Sequence, residues 1–167
     1  LLTAIPANAE ETTFPDVKGH WAEEYVIQAV EKGLFVGDSD GNFNPDANVT
    51  RAQFITVLWR MAGRPDAGEE LPFTDTENQL PEFKKAIAWG YSNGYIKGTS
   101  ETTFDPEATL TREAGMKILH LYSGGAIGGE VQFYAIYDGL LTDGDEISQW
   151  AKNSVYCKLS VPCSISC

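Results

Sequence analysis

Cysteine is missing from the first 156 residues and appears only as Cys157, Cys163 and Cys167. An odd cluster at one end is no disulfide framework, and the spacing is neither C-x-x-C nor a zinc pattern. Cations are also scarce: 12 Lys and Arg face 24 Asp and Glu, for a formal net charge of −12. Nucleic-acid affinity comes mainly from Lys and Arg neutralising phosphates, so this balance argues against a nucleic-acid partner. It argues equally against an anionic membrane surface. No apolar run approaches the roughly 20 residues that a membrane-spanning helix needs, which excludes membrane insertion of that kind. Histidine is limited to His20 and His120, so a nucleophile–base pair has few candidates. No glycine-rich phosphate loop or dinucleotide fingerprint occurs. The expectation is a non-catalytic chain with no cofactor. Apolar residues make up 43% of it, enough for an ordinary core.

What the chain does have is repetition, which decides the fold before any single motif does. "DGNFNPDANVTRAQF" at 40–54 and "ETTFDPEATLTREAG" at 101–115 match at one constant offset in Phe43 and Phe104, Pro45 and Pro106, Thr50 and Thr111, Arg51 and Arg112. The copies extend upstream to Phe14 and Asp16 in one and Phe73 and Asp75 in the other. Two extra residues enter the second copy between Asp75 and Gly94. A third beginning, "LTDGDEISQWAKNSVY", has Asp143 and Trp150-Ala151 where the first copy has Asp16 and Trp21-Ala22. It runs into "CKLSVPCSISC" with no second Thr-Arg phrase.

The boundaries are therefore a leader over 1–13, repeat one over 14–63, a linker over 64–72, repeat two over 73–123, a glycine-rich then aromatic linker over 124–140, and a truncated third repeat over 141–167. In the leader, Ala7-Asn8-Ala9 before Glu10 fits a signal-peptidase site, so export is expected.

Each full repeat reads as two helices around a turn-rich loop. Trp21, Tyr25, Val26, Ala29 and Val30 mark an apolar face on the first helix, with Gly33 as its C-cap. Phe83, Ala86, Ile87 and Gly90 do the same in repeat two, closing at Gly94. The loops "LFVGDSDGNFNPDAN" and "YIKGTSETTFDPEAT" carry single apolar pins, Phe43 and Phe104. Thr50 caps the second helix, with Gln53 completing a capping box. Phe54, Val57, Leu58 and Met61 form its expected stripe and Gly63 ends it. Thr111 caps the equivalent helix, but Ala114 holds the box position.

A calcium reading of "GDSDGNF" fails on spacing. Counting from Asp38, glycine is fourth and position twelve is Val49, whereas an EF-hand loop has glycine sixth and Glu twelfth. No metal is expected.

The arginine after each capping threonine stands at the positive end of a helix, where a cation is unfavourable by about 0.3–1 kcal/mol. Two readings stand side by side. Free amides and a guanidinium together suit a carboxylate or phosphate. Alternatively, each arginine pairs with an acid of a neighbouring repeat, such as Asp16 or Asp75.

The ordered pattern F-x-D-V, W-A, an apolar helix, G-[LI]-x-x-G-x-x-D-G-x-F-x-P and then T-R-A-E resembles the S-layer homology domain. Repeat one carries Phe14, Asp16, Val17, Trp21, Ala22, Gly33, Gly37, Asp40, Gly41, Phe43, Pro45, Thr50, Arg51 and Ala52, with Gln53 for the usual Glu. Repeat two keeps Phe73, Asp75, Gly94, Gly98, Phe104, Pro106, Thr111 and Arg112, but has Glu82 where the tryptophan belongs.

The resemblance implies an all-α fold in a pseudo-threefold assembly of repeats. It implies an exported anchoring module of a bacterial cell wall or surface layer, in a Gram-positive-type envelope. The implied ligand is an acidic, pyruvylated secondary cell-wall polysaccharide bound in grooves between repeats. By position, Arg51 and Arg112 would meet the carboxylate and Gly37 and Gly98 would allow close approach of sugar. Asp16, Asp75 and Asp143 would accept sugar hydroxyls or cap helices. Trp21 and Trp150 would stack on a ring or belong to the core. With the third repeat incomplete, one well-formed groove is expected, between repeats one and two. Apolar surface left open by the third repeat would favour self-association. The rival readings are a subunit-joining module of a surface layer, and the anchor of a surface hydrolase.

Overall fold

The computed structural model describes residues 14–67, 71–124 and 144–160. The expectations for the leader, for the linker at 125–140, for Asp143 and for Cys163 and Cys167 lie outside the described residues. The described chain is all-α, with five helices: α1 (Glu23–Glu31), α2 (Arg51–Met61), α3 (Pro81–Ser92), α4 (Arg112–Tyr122) and α5 (Gln149–Ser160). Short 3-10 turns cover Thr74–Thr76 and Gly144–Glu146. Among the described residues none of the helices is long and apolar enough to cross a membrane.

Local chemistry sets the helix limits. At α2 both halves of the capping box form: the Gln53 amide donates to Thr50 Oγ1 (3.2 Å), and the Thr50 amide donates to Gln53 Oε1 (2.9 Å). At α4 Thr111 accepts from the Ala114 amide, but there is no reciprocal bond. The C-termini close on glycines in the left-handed region. Gly33 (φ 66°) lets its amide reach Val30 O (2.8 Å) and the Leu34 amide reach Ala29 O (2.9 Å). Gly94 repeats this at the end of α3, with Tyr91 and Gly90 as acceptors. These paired bonds satisfy carbonyls that a helix end leaves orphaned.

The helices of one repeat do not pack on each other as the main contact. α2 packs on α3 of the next repeat, and α4 packs on α5 of the third. The main core follows from the first pairing. It joins Ala52, Ile55, Leu58 and Trp59 of α2 to Ala86, Ile87 and Trp89 of α3, with Phe73, Ile96, Phe104 and Ile118 around them. The two helices come close because Gly90 lacks a side chain. A Cβ there would lie 2.7 Å from Ile55 Cδ1.

α1 makes no such pairing among the described residues. It holds a small separate core of Phe14, Val17 and Val26, with Ala22, Val30 and Phe43 against it. Trp21 (81% exposed) and Tyr25 (67%) face solvent, contrary to the helical-face expectation. Their spacing is amphipathic, but among the described residues no helix covers them.

The α2 stripe is also rotated from its expected place. Ala52, Ile55, Leu58 and Trp59 are buried, whereas Met61 is 54% exposed. The run "FITVLWRM" is apolar on most sides, so its periodicity does not choose a face; the fit of Ile55 against Gly90 does.

Candidate functional site: two inter-repeat grooves

The loops that flank the grooves are built first. In each repeat an aspartate clasps the loop from a distance. Asp16 accepts from the amides of Phe43 (3.0 Å) and Asn44, and Asp75 accepts from those of Phe104 (2.9 Å) and Asp105 (2.7 Å). Both carboxylates thus serve the loop amides, and neither caps a helix. For Asp16, burial raises the pKa, but the amide bonds outweigh it and hold the carboxyl below its usual value. Asn44 (φ 57°) and Asp105 (φ 56°) take the left-handed conformation just after each pinning phenylalanine, which these residue types tolerate best after glycine. At Gly37 and Gly98 the close approach comes from inside the protein. A Cβ would overlap the ring of Phe14 in one repeat and that of Phe73 in the other.

The Thr50–Arg51 phrase meets repeat two directly. Thr50 and Thr109 form an isolated antiparallel bridge. The Arg51 and Ala52 amides, the first two orphan donors of α2, bond to Ala108 O and Pro106 O (both 3.0 Å). The N-terminus of α2 is therefore not an open anion site; carbonyls of repeat two fill it. The Arg51 side chain goes the same way. Nε donates to Phe104 O (2.9 Å), Nη2 donates to Lys97 O (2.8 Å), and the guanidinium lies 4.4 Å from the Phe104 ring centre. No acid is paired with it. Burial lowers its pKa, and Asp105 and Asp75 act in the opposite sense. Arg112, by contrast, is exposed and has no hydrogen bond or ion pair among the described residues.

Two grooves lie where one repeat's loop and second helix meet the next repeat's first helix. Groove one, about 520 Å³, runs between the repeat-one loop, α2 and the start of α3. Groove two, about 220 Å³, runs between the repeat-two loop, α4 and the start of α5. They are equivalent by the repeat offset: Val36, Gly37, Thr56 and Arg60 line one where Lys97, Gly98, Lys117 and Leu121 line the other. Glu82 and Trp150, each the second residue of its helix, occupy matching walls.

Their chemistry differs. Among the described residues groove two is lined by Arg51, Lys97 and Lys117 and by no acid, with Tyr95 and Trp150 as aromatic walls. Lys117 Nζ sits 5.0 Å from the Trp150 ring centre, and Trp150 is 48% exposed. Groove one has one cation, Arg60, and two acids, Asp38 and Glu82. Asp38 is turned inward on its own loop, accepting from the Asp40 and Asn42 amides. Arg60 is 7% exposed and forks onto Glu82 (3.0 and 2.7 Å), while Nη1 donates to Leu34 O (2.8 Å). The hydrogen bond from Arg60 holds the Glu82 carboxyl below its usual value.

The groove with the Thr-Arg arginine is thus the one between repeats two and three, and not the one between repeats one and two. Arg51 reaches across repeat two, and the third repeat supplies Trp150 from its first helix alone. Trp150 is neither core nor free of contact, and Trp21 lines neither groove. Lys97 and Lys117 were missed because no pattern in the sequence sets them apart from other lysines. Among the described residues no cluster of three metal-ligating side chains occurs.

Comparison with known proteins bears on the family of the chain. The chain is 34% identical over 114 residues to a cellulosome-anchoring protein of Acetivibrio thermocellus, covering 65% of this chain and 25% of that protein. It is 32% identical over 116 residues to an S-layer protein of Bacillus licheniformis (68% and 13%). It is 34% identical over 101 residues to an endoglucanase of Bacillus sp. (60% and 10%). The matched chain spans a quarter or less of these relatives. The S-layer homology domain is matched twice, over residues 13–55 and 72–114, which together are more than half of the sequence. The chain belongs to the S-layer homology domain family.

Proposed function

We propose that this chain is a non-catalytic anchoring module of a bacterial cell surface that holds an acidic wall glycan, of the pyruvylated type, in groove two. The observation that carries the reading is the convergence of Arg51, Lys97 and Lys117 on one cleft of a protein with net charge −12, beside the half-exposed ring of Trp150. Cations select a carboxylate and an aromatic face suits a sugar ring. Arg51 is oriented in advance by its two carbonyl bonds, so little side-chain freedom is lost on binding. The relatives' names range from anchoring protein to endoglucanase; a segment shared by such different proteins suits attachment better than catalysis.

The test is co-sedimentation with bacterial walls that carry or lack their anionic secondary polymer. The chain sediments with the polymer-bearing walls alone. Lys117→Ala and Trp150→Ala each reduce binding at least about tenfold while the far-UV dichroism is unchanged. Equal binding to stripped walls overturns the reading, and release of reducing sugar would point to an enzyme.

A second reading, the joining of protein subunits, has one observation in its favour: the exposed Trp21, just before α1, and Tyr25 on it. It requires self-association in sedimentation velocity that Trp21→Ser abolishes.

A further inference from the structure

The two grooves are built on the same plan, yet they differ in charge. In groove two the wall residue at the second position of the incoming helix is Trp150, and the cations around it have no acid among the described lining residues. In groove one the equivalent wall is Glu82, and its carboxylate takes both arms of the only lining cation, Arg60. Arg60 is further committed to Leu34 O, and Arg64 Nε approaches the same carboxylate at 3.9 Å while donating through Nη2 to Gly33 O. The fork therefore does two things at once. It ties the ends of α1, α2 and α3 together, and it uses up the positive charge that an acidic ligand would need. Val36 stands where groove two has Lys97, and Thr56, buried and bonded to Ala52 O (2.7 Å), stands where it has Lys117.

We infer that Glu82 is the specificity-determining residue that closes groove one to anionic glycans, so that the chain takes one acidic ligand, in groove two, rather than one per groove. This rests on the reading of groove two given above. The physical ground is simple. An acidic ligand entering groove one meets an exposed carboxylate edge of Glu82 and the Asp38 loop, with no uncommitted cation to offset them, and like charges brought together disfavour binding. The larger volume of groove one does not help, since area and volume do not set affinity where charge is mismatched.

The test uses a pyruvyl-ketal hexosaminide as probe, with the full chain, by calorimetric titration and amide NMR. Wild type is expected to bind one equivalent, with shifts at Lys97 and the Trp150 indole and none at Val36 or Gly37. Glu82→Gln keeps the shape and frees Arg60; it is expected to bind two equivalents, with groove-one affinity raised at least about tenfold and new shifts at Val36 and Gly37. Val36→Lys, at a position 67% exposed, leaves the fork and the fold intact and is expected to remain at one equivalent. Two equivalents in wild type, one in folded Glu82→Gln, or a second site gained by Val36→Lys alone overturns the inference while leaving the function of groove two standing. No binding of the probe by wild type overturns both. Should Glu82→Gln fail to fold, the wild-type stoichiometry and the Val36→Lys titration still decide the matter.

Discussion

Thr50–Arg51 and Thr111–Arg112 are the same two words in sequence, and they meet opposite fates in structure. Arg51 is bound through backbone and side chain to three carbonyls of repeat two, those of Ala108, Phe104 and Lys97. Arg112 is bound to nothing among the described residues. The difference lies in what the following described segment presents to each arginine. Arg51 has a complete repeat after it, whose loop offers Phe104 O and Lys97 O. The stretch after Arg112 supplies a first helix, and Ser148 at its start donates through its amide and hydroxyl to Glu113 instead. At Arg51 the cation at a helix N-terminus thus has its acceptors inside the protein. Carbonyl oxygens of the next repeat complete both the orphan amides and the guanidinium.

That contrast can be broken at several strengths. The largest effect is expected at the loop pins. Phe104 is 1% exposed within the main core, whereas Phe43 is half-buried in the small α1 core. Phe104→Ala should cost about 3–5 kcal/mol, and Phe43→Ala clearly less, both read from urea unfolding. Next come the arginines. Arg51→Ala removes two charged hydrogen bonds and should cost about 2–3 kcal/mol, whereas Arg112→Ala should stay within about 0.5 kcal/mol.

Third are two glycines inside helices of repeat two. Gly90→Ala drives a methyl into Ile55 and should destabilise by about 1–3 kcal/mol despite better helix propensity. Gly115→Ala has room, since its nearest neighbour is Leu110 Cδ2 at 3.5 Å, and should gain up to about 1 kcal/mol. Matched melts of the two variants give opposite signs. The smallest effect is on pH dependence. Asp16, Asp38 and Glu82 all have lowered carboxyl pKa values. Their contribution is present above the unfolded carboxylate range, near pH 4, and is lost as pH falls through the folded values. Glu82→Gln should flatten part of that acid slope, measured as melting temperature between about pH 6 and pH 3.

The features legible in the sequence are those with local causes. Thr50 with Gln53, the glycines at 33 and 94, and the pins Phe43 and Phe104 announce themselves within a few residues and again at a fixed offset. The site was legible in its ingredients but not in its assembly. Arg51 was found as an anomaly, yet its acceptors lie 46 and 53 residues away, and nothing local says which groove it enters. Arg60 and Glu82, 22 residues apart, are invisible as a pair in sequence, although Glu82 stands out as the wrong residue for its position. The roles of Asp16 and Asp75 were open between sugar and helix cap, and the loop amides turned out to be their partners. Trp21 and Tyr25 follow a helical spacing that normally predicts burial; pattern specifies a face, but only a neighbour can cover it.

The exchanged pairing, α2 with α3 and α4 with α5, has a consequence for how such chains lengthen. Inserting one whole sequence unit brings in a leading and a trailing helix, and every old partnership is replaced by an equivalent one. Units can be added or deleted in the interior without leaving any helix single. A change in copy number inside such an array would therefore leave the pairings of the remaining units equivalent to the old ones.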